Sequence, residues 1–229
     1  MEKTMESLAD RLQANDVHRR FVEHEFFAGV RAGAELDKEQ VGTFLGQWWY
    51  PLHYFTTFLA RCVATLPDVA SKSAITTILN QEAGGGKAEQ AHEVIYVDSM
   101  ARSGFDPSIV TGSAPFPETE ALVAGYEEAS LERWSALGFI FATEVTDLLM
   151  VSTIGAAVQR VSGVTDNEWI SIHVEQEPEH VEEAEHALMD GIGPADEAEI
   201  IKHAERMWEL WTAFFDRLAV ETGVGAPAI

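Results

Sequence analysis

Thiol groups, positive charges and long apolar runs are all scarce in this chain. Its single cysteine, Cys62, excludes an internal disulfide and any metal site built from several thiolates. Only 15 Lys and Arg stand against 38 Asp and Glu, so the chain lacks the basic surface that nucleic acid or an anionic membrane requires. No stretch approaches the ~18 uninterrupted apolar residues of a membrane span, and the amphipathic N-terminus is unlike a signal peptide. We therefore expect a cytoplasmic protein that binds neither nucleic acid nor membrane.

Residues suited to a helical core are abundant. Apolar residues make up 46% of the 229 and include six Trp and twelve Phe, enough to fill one core without disulfides. Nearly every segment repeats its apolar residues at helical spacing, and none alternates them as a half-buried strand does. We therefore predict an all-α bundle of seven to nine helices, in one domain over residues 1–229.

Start and stop signals place these helices along the chain. Asp37 and Gln40 form a capping box for a long helix, and Pro51 should kink that helix without ending it. Three consecutive glycines from Gly84 interrupt a later helix, and residues 104–117 are predicted to be the only extended loop. The predicted helices cover residues 4–13, 15–34, 37–66, 68–82, 87–102, 118–135, 136–161, 166–189 and 195–220.

The strongest chemical signal is the segment HVEQEPEH. His173, Glu177 and His180 stand at positions i, i+4 and i+7, which a helix places on one narrow stripe. Imidazole nitrogens and a carboxylate oxygen on that stripe can converge on metal ions. Pro178 should distort the same turn, a cost that is more often tolerated at functional sites. Taken alone, the segment fits an exposed acidic helix with incidental histidines equally well.

Two other segments supply further candidate ligands. Glu89 and His92 are three residues apart and adjacent on a helical face, and Glu82 would share that face if the helix continued through the glycines. Glu144 stands among apolar residues, where an ionised carboxylate is costly unless it is paired or bound to a cation. Asp147, three residues later, competes for the same role or faces solvent.

Together, the three segments predict one metal site. Their mixture of oxygen and nitrogen donors suits iron or manganese, while the lack of thiolates makes zinc less natural. Helical bundles build di-iron carboxylate sites from ligands of this kind. The predicted metal ligands are Glu82, Glu89, His92, Glu144, His173, Glu177 and His180.

These motifs resemble those of the haem-oxygenase-like di-iron oxidases and oxygenases, which share the seven-helix fold of haem oxygenase but bind non-haem iron. The resemblance extends from the WWYPLHYF helix to the HVEQEPEH helix. The family motif is a Glu and a His around a glycine-containing segment, here Glu82 and His92 around EAGGG. A lone Glu follows, here Glu144, and then His-x-x-x-Asp/Glu-x-x-His, in which Glu177 stands where many relatives have Asp. Glu89 matches a further carboxylate used by some members.

The resemblance implies the cofactor and the class of reaction. The cofactor would be two Fe(II) ions, with manganese as a substitute, bridged by Glu144, and O2 would be the co-substrate. The substrate would be a small amino-acid-like molecule of specialised metabolism, oxidised by N-oxygenation, desaturation or C–C cleavage. Arg61, Arg133 or Arg160 could hold its carboxylate. The resemblance leaves room for an external electron donor, and the fold alone suggests a homodimer.

Other classes of protein stay open on the sequence. Two Glu-x-x-His motifs, beginning at Glu89 and Glu177, also fit a ferritin-like iron oxidase or storage protein, but they leave Glu82 and His173 without a role. The same fold includes metal-free thiaminase-like hydrolases, and a helical binding module is a further alternative. In both of these the histidines would be satisfied polar residues of a pocket.

Overall fold

The computed structural model describes residues 7–188 and 192–225. Within these ranges the chain forms eleven α-helices and one 3-10 turn, with no strand, so the all-α prediction is confirmed. The helices are α1 (Leu8–Gln13), α2 (Asp16–Val22), α3 (Glu25–Ala32), α4 (Lys38–Thr65), α5 (Val69–Glu82), α6 (His92–Arg102), α7 (Pro107–Gly112), α8 (Pro117–Ala129), α9 (Arg133–Ser162), α10 (Glu168–Ala187) and α11 (Pro194–Thr222); the 3-10 turn is Ala88–Gln90.

The long helix α4 begins and continues as predicted. The Asp37 carboxylate accepts from the Gln40 amide at 2.8 Å, and the Gln40 side chain accepts from the Asp37 amide at 2.8 Å. This reciprocal pair satisfies two amides that a helix start leaves free. Pro51 lies inside the helix, which runs on to Thr65. The predicted start of the first helix at residue 4 and the predicted end of another helix at residue 189 lie outside the described residues.

The structure has more helices than predicted because capping residues divide some segments. The His24 ring accepts from the Phe26 amide and starts α3, which splits the predicted helix 15–34. The prediction of an extended loop over residues 104–117 is wrong, since Asp106 caps the short helix α7 and Pro107 fills its first position. Proline at the first helical position is a start signal that was present in the sequence.

Helix α9 is the core of the bundle. By length and composition it is the one described helix that could span a membrane, but 72% of its most apolar window is buried inside the protein. The indole of Trp208 on α11 donates to the Ala142 carbonyl at 3.0 Å. Gly138 allows close approach, since a Cβ there would lie 2.6 Å from the Ile200 carbonyl oxygen. The apolar character of α9 therefore reflects packing within the bundle, and the cytoplasmic location stays a prediction.

A glycine turn connects α5 to α6. Glu82 is the last residue of α5 and His92 the first of α6. Between them Gly84, Gly85 and Gly86 have φ angles of 82°, 60° and 87°, in the left-handed region that glycine enters without steric cost. The turn follows the end of α5, and α6 begins only after the 3-10 turn, so Glu82 and His92 do not share a continuous helix.

Alanine substitutions at two of these glycines should differ in cost. Gly85→Ala should lower the free energy of unfolding by about 1–2 kcal/mol. This cost comes from the positive φ alone, because nothing lies within 4 Å of the new Cβ. In Gly84→Ala the Cβ would also lie 2.3 Å from the Lys87 carbonyl oxygen, and overpacking adds about 1–3 kcal/mol. Urea unfolding, monitored by circular dichroism, measures the free energy of unfolding of both variants. Equal losses of stability would contradict this description of the turn.

Candidate metal centre

The structure brings six of the seven predicted ligands together in the core. They lie on α5, α6, α9 and α10. All are at most 4% exposed to solvent. The six residues are Glu82, His92, Glu144, His173, Glu177 and His180.

The six residues form two adjoining groups of three. In the first group, one ligand atom from each of Glu82, His92 and His173 lies within 4.8 Å of the others. The second group has the same property, and its members are Glu144, Glu177 and His180. Glu82 Oε1 lies 3.9 Å from His180 Nδ1, so the groups are neighbours. Each group has the size and donor types to hold one metal ion.

Helix α10 contributes to both groups, as its spacing predicted. His173 belongs to the first group, while Glu177 and His180, one and two turns later, belong to the second. Pro178 lies between them and is exposed. The stripe at i, i+4 and i+7 therefore faces inward, and the acidic residues between its members face solvent.

Each histidine is held by an oxygen acceptor that lies outside the two groups. In each, one ring nitrogen faces that acceptor, and in a neutral ring this leaves the other nitrogen without a proton. Metal-bound histidines show this arrangement, in which the outer acceptor orients the ring. The contacts are His173 Nδ1 to the Trp169 carbonyl at 2.7 Å, His92 Nε2 to Gln176 Oε1 at 3.1 Å, and His180 Nε2 to Gln81 Oε1 at 2.7 Å.

Several buried polar atoms of the site have no hydrogen-bond partner, which is the test of whether a metal fits. They are His92 Nδ1, Glu144 Oε1, Glu177 Oε1 and Asp147 Oδ2. Leaving such atoms unsatisfied costs roughly 1–3 kcal/mol each. His92 Nδ1 lies 3.0 Å from Glu82 Oε1, and two acceptors at that distance repel unless a proton or a cation lies between them. The donor set therefore fits metal cations bound to nitrogen and oxygen.

The second group lies among closely packed carboxylates. Burial, followed by the charges of Asp147 and Glu144, raises the pKa of Glu177 well above its ordinary value. Burial and then Glu144 raise the pKa of Asp147 to about 7. Burial lowers the pKa of His180, but a hydrogen bond and the negative charge from Glu144 outweigh it and raise that pKa to about 9. Concentrated negative charge therefore binds protons here, and it would bind metal cations for the same reason.

The first group is closer to electrical balance. Burial raises the pKa of Glu82, but the charge of His92, whose Nδ1 lies 3.0 Å away, outweighs it and brings that pKa to about 2. Burial, and then the charge of His92, lower the pKa of His173 to about 4. At neutral pH His173 is thus a neutral imidazole, which is the form that binds metal.

Glu89 is the predicted ligand that the structure leaves apart. It lies exposed on the 3-10 turn, outside both groups. The prediction placed Glu89 and His92 on one face of a helix over residues 87–102, but Glu89 lies on the 3-10 turn and α6 begins only at His92. The shared face on which the assignment depended does not form.

The three arginines considered for a substrate carboxylate lie elsewhere. Each has its own partner, and none lines the cavity beside the two groups. The partners are Glu127 for Arg61, Asp68 for Arg133, and the carbonyls of Val30 and Ala34 for Arg160.

An apolar cavity opens beside the second group. The empty space inside it, including its open mouth, has a volume of about 400 Å³. Among the described residues it has aromatic and aliphatic walls, carboxylates at one end, and no Lys or Arg. The walls include Trp48, Leu52, Phe55, Tyr126 and Trp211, and the polar end includes Glu82, Glu144, Asp147, His173 and Glu177.

Sequence reasoning left one cavity residue undecided and missed two outer contacts. Asp147 was assigned either to the site or to solvent, and the structure shows it lining the cavity, with Oδ2 buried although the residue is partly exposed. Gln81 and Gln176 were not singled out. Each lies next to a predicted ligand in the sequence, but only the packing of α5 and α6 against α10 shows which ring it contacts.

Solved structures with this fold include proteins from several bacteria. A CADD-like protein of unknown function from Nostoc punctiforme is 15% identical, with a TM-score of 0.75 over 94% of this chain and 95% of that one. A TenA homolog from Pseudomonas syringae pv. tomato is 17% identical, with a TM-score of 0.72 over 93% of both chains. A domain of unknown function with a heme oxygenase-like fold, from Shewanella denitrificans, is 17% identical, with a TM-score of 0.66 over 97% and 94%. At these identities the likeness shows the haem-oxygenase-like fold alone.

Sequence comparison identifies the family. No curated protein matches the chain significantly. The family model described as iron-containing redox enzyme matches residues 42–212, which is most of the chain and includes all six buried ligands. The chain belongs to the family of iron-containing redox enzymes.

Proposed function

We propose that the protein is a non-haem di-iron enzyme that uses O2 to oxidise a small substrate bearing an amine. The observation that carries this proposal is the pair of adjoining, buried ligand groups, each with carboxylate and imidazole donors. Family membership supports iron and redox chemistry. The two-iron count, the use of O2 and the substrate are part of the proposal.

The first iron would be held by Glu82, His92 and His173, and the second by Glu144, Glu177 and His180. When bound, iron supplies the redox chemistry and the reaction with O2. Glu144 was expected to bridge the ions, and this stays a prediction. Glu82 Oε1 lies 3.0 Å from His92 Nδ1 and 3.9 Å from His180 Nδ1, so this carboxylate is close to a histidine of each group.

The cavity supports an amine as the polar group of the substrate. A substrate carboxylate would enter a space that already holds four carboxyl groups and, among its lining residues, no Lys or Arg. An ammonium group would instead find the buried, unpartnered Oδ2 of Asp147. The aromatic walls would exclude water and hold the carbon skeleton. N-oxygenation, desaturation and C–C cleavage all fit this arrangement, and the homodimer and the external electron donor stay predictions.

The structure favours this function over the alternatives. A ferritin-like site needs Glu89 and His92 as one motif, but Glu89 is exposed and apart. A metal-free hydrolase or binding module needs satisfied polar groups in its pocket. Here four buried nitrogen or oxygen atoms of the site lack partners. The TenA homologs share the fold at 13–17% identity, which supports no transfer of activity.

Metal binding should release protons. The ligands Glu177 and His180, and Asp147 beside them, carry raised pKa values, to about 7 for Asp147 and about 9 for His180, and a ligand must lose its proton to bind a metal. Affinity for Mn(II), a redox-stable probe, should therefore fall as the pH drops from about 9 through about 7. Calorimetry in two buffers of different protonation enthalpy counts the protons released. An affinity independent of pH, with no proton release, would contradict the assigned ligands.

The proposed activity can be tested by O2 consumption. Protein loaded anaerobically with Fe(II) should consume O2 faster with one member of a panel of small amines and amino acids. His173→Ala and His180→Ala should abolish this turnover with unchanged helicity by circular dichroism, because each removes one ligand from a different group. His186→Ala, at a half-exposed histidine near the end of the same helix, is the matched control.

Each outcome of that experiment bears on a different part of the proposal. Full activity in either ligand variant would rule out the site. Stimulation by carboxylic acids that lack an amine, with none by amines, would show that the substrate head group is wrongly assigned.

A further inference from the structure

A line of hydrogen bonds leads from the protein surface to His180. The Gln81 side chain, at the end of α5, donates from Nε2 to Glu179 Oε2 at 2.7 Å. Its Oε1 lies 2.7 Å from His180 Nε2. Glu179 is exposed on α10, while His180 is buried in the second group. The three side chains thus connect solvent to one candidate ligand.

The surface carboxylate determines which way the Gln81 amide points. An ionised carboxylate only accepts hydrogen bonds, so the side of the amide that faces Glu179 must be its NH2 group. The carbonyl oxygen of the amide is then directed at the imidazole. The reverse orientation would place two oxygens in contact at Glu179 and two N–H donors in contact at His180 whenever its Nε2 is protonated.

The orientation of the amide in turn determines the proton position on the ring. An amide oxygen accepts, so His180 Nε2 carries the hydrogen and donates it to Gln81. In a neutral imidazole this leaves the lone pair on Nδ1. That nitrogen faces the oxygens of Glu144, Glu177 and Glu82, at 3.4, 3.8 and 3.9 Å.

We propose that Gln81 and Glu179 are positioning residues for metal binding: they fix the ring plane and the tautomer of His180 so that Nδ1 is presented to the metal of the second group. This inference rests on the proposed metal site but not on its reaction. Gln81 neither lines the cavity nor belongs to either ligand group. Its effect on the metal passes through His180 alone.

The proposal is tested by reversing the line of hydrogen bonds. Gln81→Met keeps the length of the side chain and removes the amide. The double variant Gln81→Glu with Glu179→Gln keeps composition and charge while the donor and acceptor exchange places: residue 179 donates, and residue 81 accepts from both sides. Gln90→Met makes the same chemical change at an exposed glutamine that faces the same surface pocket as Gln81. The probe is Co(II), titrated anaerobically into metal-free protein and followed by its visible absorption.

The expected result is a selective loss and a rescue. Wild type and Gln90→Met should bind two Co(II) per chain with the same affinities. Gln81→Met should bind one of the two about 10–100-fold more weakly, the usual effect of removing an outer partner of a metal-bound histidine. The exchanged double variant should recover affinity to within a few-fold of wild type. Circular dichroism confirms that each variant is folded.

Two results would overturn the proposal, and they differ from failure of the metal site itself. If Gln81→Met binds both ions as wild type does, the amide does not position His180. If the double variant is as weak as Gln81→Met, residue 81 acts through packing and not through hydrogen bonding. If wild-type protein binds no Co(II) or Fe(II), the proposed function fails, and this inference fails with it.

Discussion

The site depends on one electrostatic constraint, the burial of several carboxylates in a helical core. Glu82, Glu144 and Glu177 are each at most 4% exposed, and ionised carboxylates cannot remain there without compensating positive charge. Protons and histidines supply part of that charge, as the raised pKa of Glu177 shows. Divalent cations would supply that positive charge more completely. They would also bind the unprotonated imidazole nitrogens that face carboxylate oxygens.

The fold holds these charges in place with apolar packing and close helix contacts. Glu144 is fixed by α9, which is buried over much of its length and tied to α11 through Trp208. Helix α10 presents ligands to both groups, and the segment with the glycine turn places Glu82, the last residue of α5, beside His92, the first residue of α6. Because the ligands come from four helices, the site forms only when the bundle packs.

The sequence predicted what depends on local geometry. The α10 stripe follows from helical periodicity, and Glu144 was found because a charged residue in an apolar segment requires a partner. Whether Glu82 and Glu89 lie on one face of a continuous helix could not be predicted, since this depends on whether Gly84 to Gly86 adopt positive φ. Gln81 was missed because its contact with His180 joins residues 99 positions apart, and such contacts depend on helix packing.

The central claim is that each chain binds two iron ions, one per ligand group. The most direct measurement is the number of Fe(II) ions bound per chain after anaerobic loading and removal of excess metal, made on wild type and on Glu144→Gln. The account predicts two ions for wild type and the loss of at least one in the variant, since Glu144 is a ligand in the second group and the predicted bridge between the two ions. No bound iron in folded wild-type protein, or two ions held equally well by the variant, would contradict it.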